Sequence, residues 1–186
     1  MMQRALFLDR DGVINEDRGY VHRIEEVAFV AGIFDLTRQA CALGYRLVVV
    51  TNQSGIGRGL YTEEQFHRLT AWMHGEFARQ DAPIDRVYFS PYHPTEGVGV
   101  YRREDPSRKP GPGMILAARD ELQLDLAGSL LIGDRLSDIQ AGIAAGVGSN
   151  LLLARQPLSA PVALPCQVIT TLAEAVSFLR GGPDDR

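Results

Sequence analysis

The sequence predicts an α/β protein with a Rossmann-like, doubly wound and mainly parallel sheet that has helices on both faces. Short apolar segments alternate with segments of helical periodicity along the chain, as successive strand–helix units require. Unbroken valine-rich segments such as 46–50 are typical of strands that are covered on both faces. Because 186 residues correspond to about one domain, we expect a single domain over residues 1–186. It should have no large cap domain, and its tail at about 181–186 should be frayed.

The predicted strands are short apolar runs, including a short extra strand at 26–30. They cover residues 5–8, 26–30, 46–50, 86–89, 129–132, 150–153 and 167–169. The predicted helices have apolar residues at helical spacing, and Thr62 with Gln65 forms a capping box at the start of the second one. These helices cover residues 33–43, 62–79, 114–121, 138–145 and 172–179. The intervening segment 90–112 is predicted to be a long loop.

Composition and charge exclude several classes of protein. A hydrophobic fraction of 45% and a charged fraction of 23% are ordinary for a globular protein and argue against disorder. The net charge of −4 argues against broad binding to nucleic acid or to an anionic membrane surface. No apolar run approaches the roughly 20 residues of a membrane span, and the N-terminal one is too short for a signal peptide. The two cysteines form no metal or redox motif, so a cytoplasmic location is expected.

Polar residues follow several predicted strands at the point where each strand ends. Asp9 and Asp11 follow the first, Thr51 follows the second, Lys109 lies in the loop after the third, and Asp134 follows the fourth. The carboxyl ends of parallel strands meet at one edge of a sheet, where such folds bind ligands. Crowded carboxylates need a cation, and hard oxygen ligands suit Mg²⁺. One carboxylate can attack phosphorus while a second transfers a proton, so the pattern predicts phosphoryl transfer.

These motifs, in this order, resemble those of the haloacid dehalogenase-like phosphatases. The matching elements are Asp9-Arg10-Asp11-Gly12, Thr51-Asn52, Lys109-Pro110 and Gly133-Asp134. Residues 9–15, 19–21 and 51–59 further resemble the heptose bisphosphate phosphatases, and the related histidinol-phosphate phosphatase domains share much of the pattern. The resemblance covers about residues 4–180. It implies magnesium-dependent removal of the 7-phosphate of a heptose 1,7-bisphosphate through an aspartyl-phosphate, in nucleotide-activated heptose synthesis.

The resemblance also implies roles for individual residues. Asp9 corresponds to the nucleophile and Asp11 to the general acid/base, while Thr51 and Lys109 hold the phosphoryl group. Asp9, the backbone carbonyl of Asp11, and Asp134 correspond to the Mg²⁺ ligands. The positions that resemble substrate contacts are Asp17, Arg18, Gly19, Tyr20, Asn52, Gln53, Ser54, Arg108 and Arg135.

The sequence departs from the family in the long loop, where members often hold a structural zinc. The four ligand positions carry Ser90, Tyr92, Asp105 and Ser107, so no thiolate is present for such a site. We therefore predict that zinc is absent and that the loop is ordered by other contacts. The expected partner is a small phosphorylated sugar, and the chain is expected to be a monomer.

Other readings remain open at this level. Histidinol phosphate is an alternative substrate, and a phospho-accepting receiver domain is an alternative of a different class. The anomer of the heptose is undetermined. Asp138 either caps its helix or supports the metal site from behind the ligands.

Overall fold

The structure is a computed structural model that describes residues 2–156 and 161–180. Within these residues, six parallel strands form one sheet in the order β3-β2-β1-β4-β5-β6. The strands are β1 (Ala5–Leu8), β2 (Arg46–Asn52), β3 (Arg86–Ser90), β4 (Leu130–Gly133), β5 (Ser149–Leu153) and β6 (Gln167–Ile169). The predicted Rossmann-like parallel sheet is confirmed. The predicted tail at 181–186 lies outside the described residues.

Helices cover both faces of the sheet. They are α1 (Ile33–Ala42), α2 (Ser54–Gly57), α3 (Glu63–Arg79), α4 (Gly113–Leu122), α5 (Leu136–Ala145) and α6 (Leu172–Arg180). Alternate side chains of a strand point to opposite faces. Accordingly, Leu6 and Leu8 pack in one core with residues of α1, α3 and α6, whereas Ala5 and Phe7 pack in a second core with α4 and α5. Burial on both faces explains why the central strands are uniformly apolar.

The predicted strand at 26–30 is wrong. Ile24–Glu26 forms a 3-10 turn, and Phe29 makes only an isolated antiparallel bridge to Asn15. The Glu26 carboxylate accepts the backbone N–H groups of His22 and Arg23, both at 3.1 Å, and so closes the turn at the start of the segment. The rest of the segment bonds to the backbone only around Asn15, through the Glu16 N–H to Ala28 and the Val30 N–H to Ile14, which is too short a pairing for a strand.

The carboxyl ends of β1, β2 and β4 lie side by side in the middle of the sheet. The strand order reverses direction at β1, with β2 and β3 on one side of it and β4, β5 and β6 on the other. Folds of this kind bind ligands at such a switch point. Across the described ranges, loops rather than a cap domain cover this edge. No helix in that part of the chain is both long and apolar enough to span a membrane.

Candidate active site

A cavity of about 550 Å³ opens at the carboxyl ends of β1, β2 and β4. Predicted site residues supply much of its lining, namely Asp9, Asp11, Asp17, Gly19, Tyr20, Asn52, Gln53, Ser54, Arg108, Lys109 and Arg135. Thr51 is buried directly below, bonded to Gln53. Arg18 points elsewhere, because its side chain is 56% exposed and pairs with Glu16. Three further lining residues, Arg58, Tyr61 and Ser137, are not among the predicted site residues.

Lys109 lies at the centre of the site, and it is the only lysine in the sequence. Its buried Nζ donates to Asp9 Oδ1 at 2.8 Å and to the carbonyl of Val50 at 2.8 Å, and it lies 2.7 Å from Asp138 Oδ1. Burial alone would lower the pKa of Lys109, but Asp9 and Asp138 outweigh it and raise that pKa. The ammonium group is therefore charged and fixed between two carboxylates.

The position of Lys109 is set by Asn52, the last residue of β2. The Asn52 side chain donates from Nδ2 to the carbonyl of Lys109 at 3.0 Å and accepts the Lys109 N–H at 3.0 Å. The Asn52 amide thus bonds to both backbone polar groups of Lys109, as the backbone of a neighbouring strand would. It holds the end of the long loop directly to the sheet.

Asp9 follows β1 and is 7% exposed. Burial raises the pKa of its carboxyl to about 7, with Lys109 opposing the effect and Asp138 adding to it. Asp11 lies two residues further along the chain, and a different set of donors holds its carboxyl group. Arg10 donates to both of its oxygens at 2.9 and 2.8 Å, Asn15 donates to Oδ1 at 3.0 Å, and Gln53 donates to Oδ2 at 3.0 Å. The two aspartates thus occupy distinct environments on either side of the strand end.

Three carboxylates form a cluster that fits a hard cation. One oxygen each from Asp9, Asp134 and Asp138 lies within 4.8 Å of the others. Among the residues that the structure describes, buried Asp134 Oδ1 has no hydrogen-bond partner. Burial, followed by the charge of Asp138, raises the pKa of Asp134 to about 6. An unpartnered buried carboxylate oxygen beside two others is the donor set that Mg²⁺ prefers.

Glycine is required at position 12 by this cluster. Gly12 has a φ of +97°, and a Cβ there would lie 2.1 Å from Asp134 Oδ2.

Asp138 combines the two roles left open above. Its Oδ2 accepts the backbone N–H of Arg135 at 3.0 Å at the start of α5, while its Oδ1 faces Lys109.

The outer rim of the cavity is basic. Arg58, Arg108 and Arg135 all line it. Arg108 Nη1 donates to the carbonyl of Tyr92 at 3.0 Å, and Arg135 Nη2 pairs with Asp17 at 2.8 Å. The arginines lie around a site that also holds Lys109 and the carboxylate cluster suited to a cation. Such a cavity can bind a ligand that carries anionic groups at two separate places.

Hydrogen bonds join three of the four loop positions considered above for zinc. Ser107 Oγ donates to Ser90 Oγ at 3.0 Å and to Asp105 Oδ1 at 2.7 Å. Arg103 pairs with Asp105 at 2.9 Å and stacks over the Tyr92 ring at 4.1 Å from its centroid. These contacts connect the two ends of the loop that carries Arg108.

The parallel sheet, with an aspartate pair, a threonine, a lysine and a carboxylate cluster at its carboxyl edge, defines the class of aspartate-based phosphohydrolases. In agreement, residues 106–175 match the family described as "HAD-hyrolase-like". A D-glycero-alpha-D-manno-heptose-1,7-bisphosphate 7-phosphatase of Burkholderia mallei is 55% identical over 99% of this chain and 98% of its own. The corresponding beta-named phosphatase of Escherichia coli K12 is 50% identical over 80% of this chain and 78% of its own.

A solved structure of a D,D-heptose 1,7-bisphosphate phosphatase from B. bronchiseptica, complexed with magnesium and phosphate, superposes with a TM-score of 0.81. It is 29% identical and covers 95% of this chain and 97% of its own. The chain belongs to the heptose 1,7-bisphosphate 7-phosphatase family of the haloacid dehalogenase-like hydrolases. It is accordingly a phosphoric monoester hydrolase.

Proposed function

We propose that this chain removes the 7-phosphate of D-glycero-α-D-manno-heptose 1,7-bisphosphate. The observation that carries the proposal is the joint placement of Asp9, Lys109 and the unpartnered Asp134 oxygen below a cavity with a basic rim. Mg²⁺ would be held by Asp9, Asp134 and the backbone carbonyl of Asp11, with Asp138 close behind. When bound, it would neutralise charge on the transferring phosphoryl group and on the carboxylates around it.

The first half of the reaction forms a bond to Asp9. A carboxylate oxygen of Asp9 attacks phosphorus, and the bond between phosphorus and the sugar oxygen breaks. The departing alkoxide takes a proton from the Asp11 carboxyl group. Lys109 and the Thr51 hydroxyl stabilise the phosphoryl oxygens during this step.

The second half regenerates Asp9. The Asp11 carboxylate takes a proton from water as the water oxygen attacks phosphorus of the aspartyl-phosphate. The bond between phosphorus and Asp9 breaks, and inorganic phosphate leaves. Asp11 thereby recovers the proton that it gave to the sugar.

The rest of the substrate lies against the cavity rim. Arg108 is proposed to bind the anionic group at the far end of the sugar, and Arg135 with Asp17 is proposed to contact the hydroxyls. The α anomer is favoured because a relative that matches nearly the whole chain is named for it. The product, a heptose 1-phosphate, would enter nucleotide-activated heptose synthesis.

We further propose that the long loop holds no zinc and that the protein is a cytoplasmic monomer. The zinc proposal is supported by the hydrogen-bonded side chains of Ser90, Asp105 and Ser107, which are weak substitutes for thiolates. The cellular location is supported by Cys41 and Cys166, both of which are free thiols.

Phosphate release tests the proposal directly. The α and β heptose bisphosphates and histidinol phosphate are compared in Mg²⁺, with Arg108→Ala and the exposed neighbour Arg102→Ala as matched variants. We expect the highest kcat/KM for the α anomer and a raised KM for that substrate in Arg108→Ala only. Preference for the β anomer would overturn the anomer assignment, and preference for histidinol phosphate would overturn the substrate class.

A further inference from the structure

Gln53 lies between the two chemically active sides of the site. Its side chain amide is 2% exposed, and its Nε2 donates to Asp11 Oδ2 at 3.0 Å and to Thr51 Oγ1 at 2.9 Å. It therefore joins the proton-transferring carboxyl to a hydroxyl that holds the phosphoryl group. Because both of its amide hydrogens are used in these contacts, Gln53 has no free donor to offer a substrate.

The orientation of this amide is chemically determined. The amide nitrogen faces Asp11 Oδ2 and Thr51 Oγ1, and both of these oxygens accept from it. The amide oxygen must then face the opposite way, where the Tyr61 hydroxyl donates to Gln53 Oε1. Burial raises the pKa of Tyr61 to about 12, so the hydroxyl keeps its proton at any working pH.

Tyr61 is itself held in place by packing. It is 5% exposed, and its ring stacks on His22 with 5.0 Å between centroids and 2° between planes. The opposite contact is Gly55, where a Cβ would lie 2.2 Å from Tyr61 Cε1. The ring therefore has little freedom to move its hydroxyl away from Gln53.

We propose that Tyr61 and Gln53 are positioning residues for Asp11, acting through a chain of hydrogen bonds from the Tyr61 hydroxyl to the Gln53 amide to the Asp11 carboxyl. Neither acts on the substrate. Tyr61 fixes the amide, and the amide fixes the distance between Asp11 and Thr51. This inference rests on the proposed function, since it takes Asp11 as the group that moves the proton.

The role predicts a specific kinetic defect. Steps that use Asp11 should slow, while substrate binding should not, and neither should attack by Asp9 when the leaving group needs no proton. In Tyr61→Phe we expect kcat on the heptose bisphosphate to fall about tenfold, the equivalent of one lost hydrogen bond, with KM within about twofold of the wild type. Gln53→Met, which keeps the length but removes both polar atoms, should lower kcat further.

An aryl phosphate separates the two halves of the reaction. The p-nitrophenolate group leaves without a proton, so formation of the aspartyl-phosphate should keep its wild-type rate in both variants. Hydrolysis of the intermediate still needs Asp11. Rapid mixing of each variant with p-nitrophenyl phosphate should therefore give a burst of one p-nitrophenolate per protein followed by a slower steady rate.

Tyr45→Phe is a matched control. Tyr45 is also 5% exposed and also donates from its hydroxyl, to the carbonyl of Leu179 at 3.2 Å, but it lies at the opposite end of the sheet. It should lose comparable thermal stability with no change in kcat. Circular dichroism of all variants checks that they are folded.

Two results would overturn the inference. One is a raised KM with unchanged kcat, which would make Gln53 a substrate contact. The other is a kcat in Tyr61→Phe and Gln53→Met equal to that of the Tyr45→Phe control. Asp11→Asn, measured alongside, identifies which idea has failed. If it remains active on the heptose bisphosphate, the acid/base role that the proposed function gives Asp11 is wrong, whereas if it is inactive only the positioning role is lost. A wild-type protein that releases no phosphate from the heptose bisphosphate would instead refute the proposed function.

Discussion

Replacing Lys109 with methionine should separate the stability of the site from its chemistry. The substitution keeps an apolar side chain that reaches as far as Cε and removes the ammonium group, which lies 2.8 Å from Asp9 and 2.7 Å from Asp138. Lys109 is 4% exposed, so neither carboxylate gains water in exchange. Breaking a buried ion pair by removing one partner costs about 3–5 kcal/mol. In a chain of this length, that corresponds to a decrease in Tm of about 6–20 °C.

A double variant sharpens this prediction. Lys109→Met with Asp138→Asn removes the ammonium group and one of the two carboxylates that it neutralised. We expect it to regain a large part of the lost Tm, because fewer uncompensated charges remain buried. It should not regain activity, because the ammonium group that stabilises the phosphoryl oxygens is still missing, an effect worth about 10²–10³ in kcat.

The assay is thermal unfolding followed by circular dichroism in EDTA at neutral pH, together with phosphate release in Mg²⁺. A wild-type Tm in Lys109→Met, or a double variant less stable than the single one, would show that the buried ion pairs do not stabilise the fold. Substantial activity in either variant would show that Lys109 is not needed for the chemistry.

Three further predictions concern the carboxylates. Asp9→Asn should abolish phosphate release yet keep or raise Tm, because an amide replaces a carboxyl whose buried charge is unfavourable; turnover within about tenfold of the wild type would argue against an aspartyl-phosphate. The pKa of Asp9 is raised to about 7 and that of Asp134 to about 6, from 3.8 in the unfolded chain. Their protonated carboxyl groups therefore stabilise the fold fully below pH 3.8, and this stabilisation is lost as the pH rises through 6 to 7. The metal-free protein should accordingly show a falling contribution to Tm between about pH 4 and pH 7, and Mg²⁺ should restore Tm at the higher pH; a Tm that Mg²⁺ leaves unchanged at the higher pH would contradict this. Gly12→Ala should displace Asp134 and weaken Mg²⁺ activation by about 10- to 100-fold, whereas Gly44→Ala, at a similar φ of +79° but with no heavy atom described within 4 Å of its Cβ, should leave it unchanged.

Much of the fold could be predicted because its signals are local. A buried parallel strand is apolar throughout, so β1 and β2 are visible as short runs, and the polar residues that end them identify the functional edge. The prediction of a strand at 26–30 is wrong because it also relies on a local apolar pattern. The apolar residues of this segment resemble a strand, but its first residue ends a 3-10 turn and the rest reaches only an isolated bridge between Phe29 and Asn15.

The contacts within the site could not be predicted in the same way. Asn52 and Lys109 are 57 positions apart, and a paired side chain–backbone contact over that distance leaves no periodic pattern. Gln53 and Tyr61 are close in sequence, but either could equally have faced a substrate. Only the geometry indicates that the Gln53 amide is already used within the protein.

The presence of a single lysine makes Lys109 a natural spectroscopic label. The other 18 basic side chains are arginines, so feeding ¹⁵N-lysine to the expressing cells would mark one residue in the whole protein. That residue carries two distinct nitrogen signals. The ammonium group senses Asp9 and Asp138, and the backbone amide, bonded to Asn52, senses the end of the long loop. Nuclear magnetic resonance of an otherwise unmodified chain could therefore follow phosphoryl transfer and loop position separately, with no assignment problem to solve.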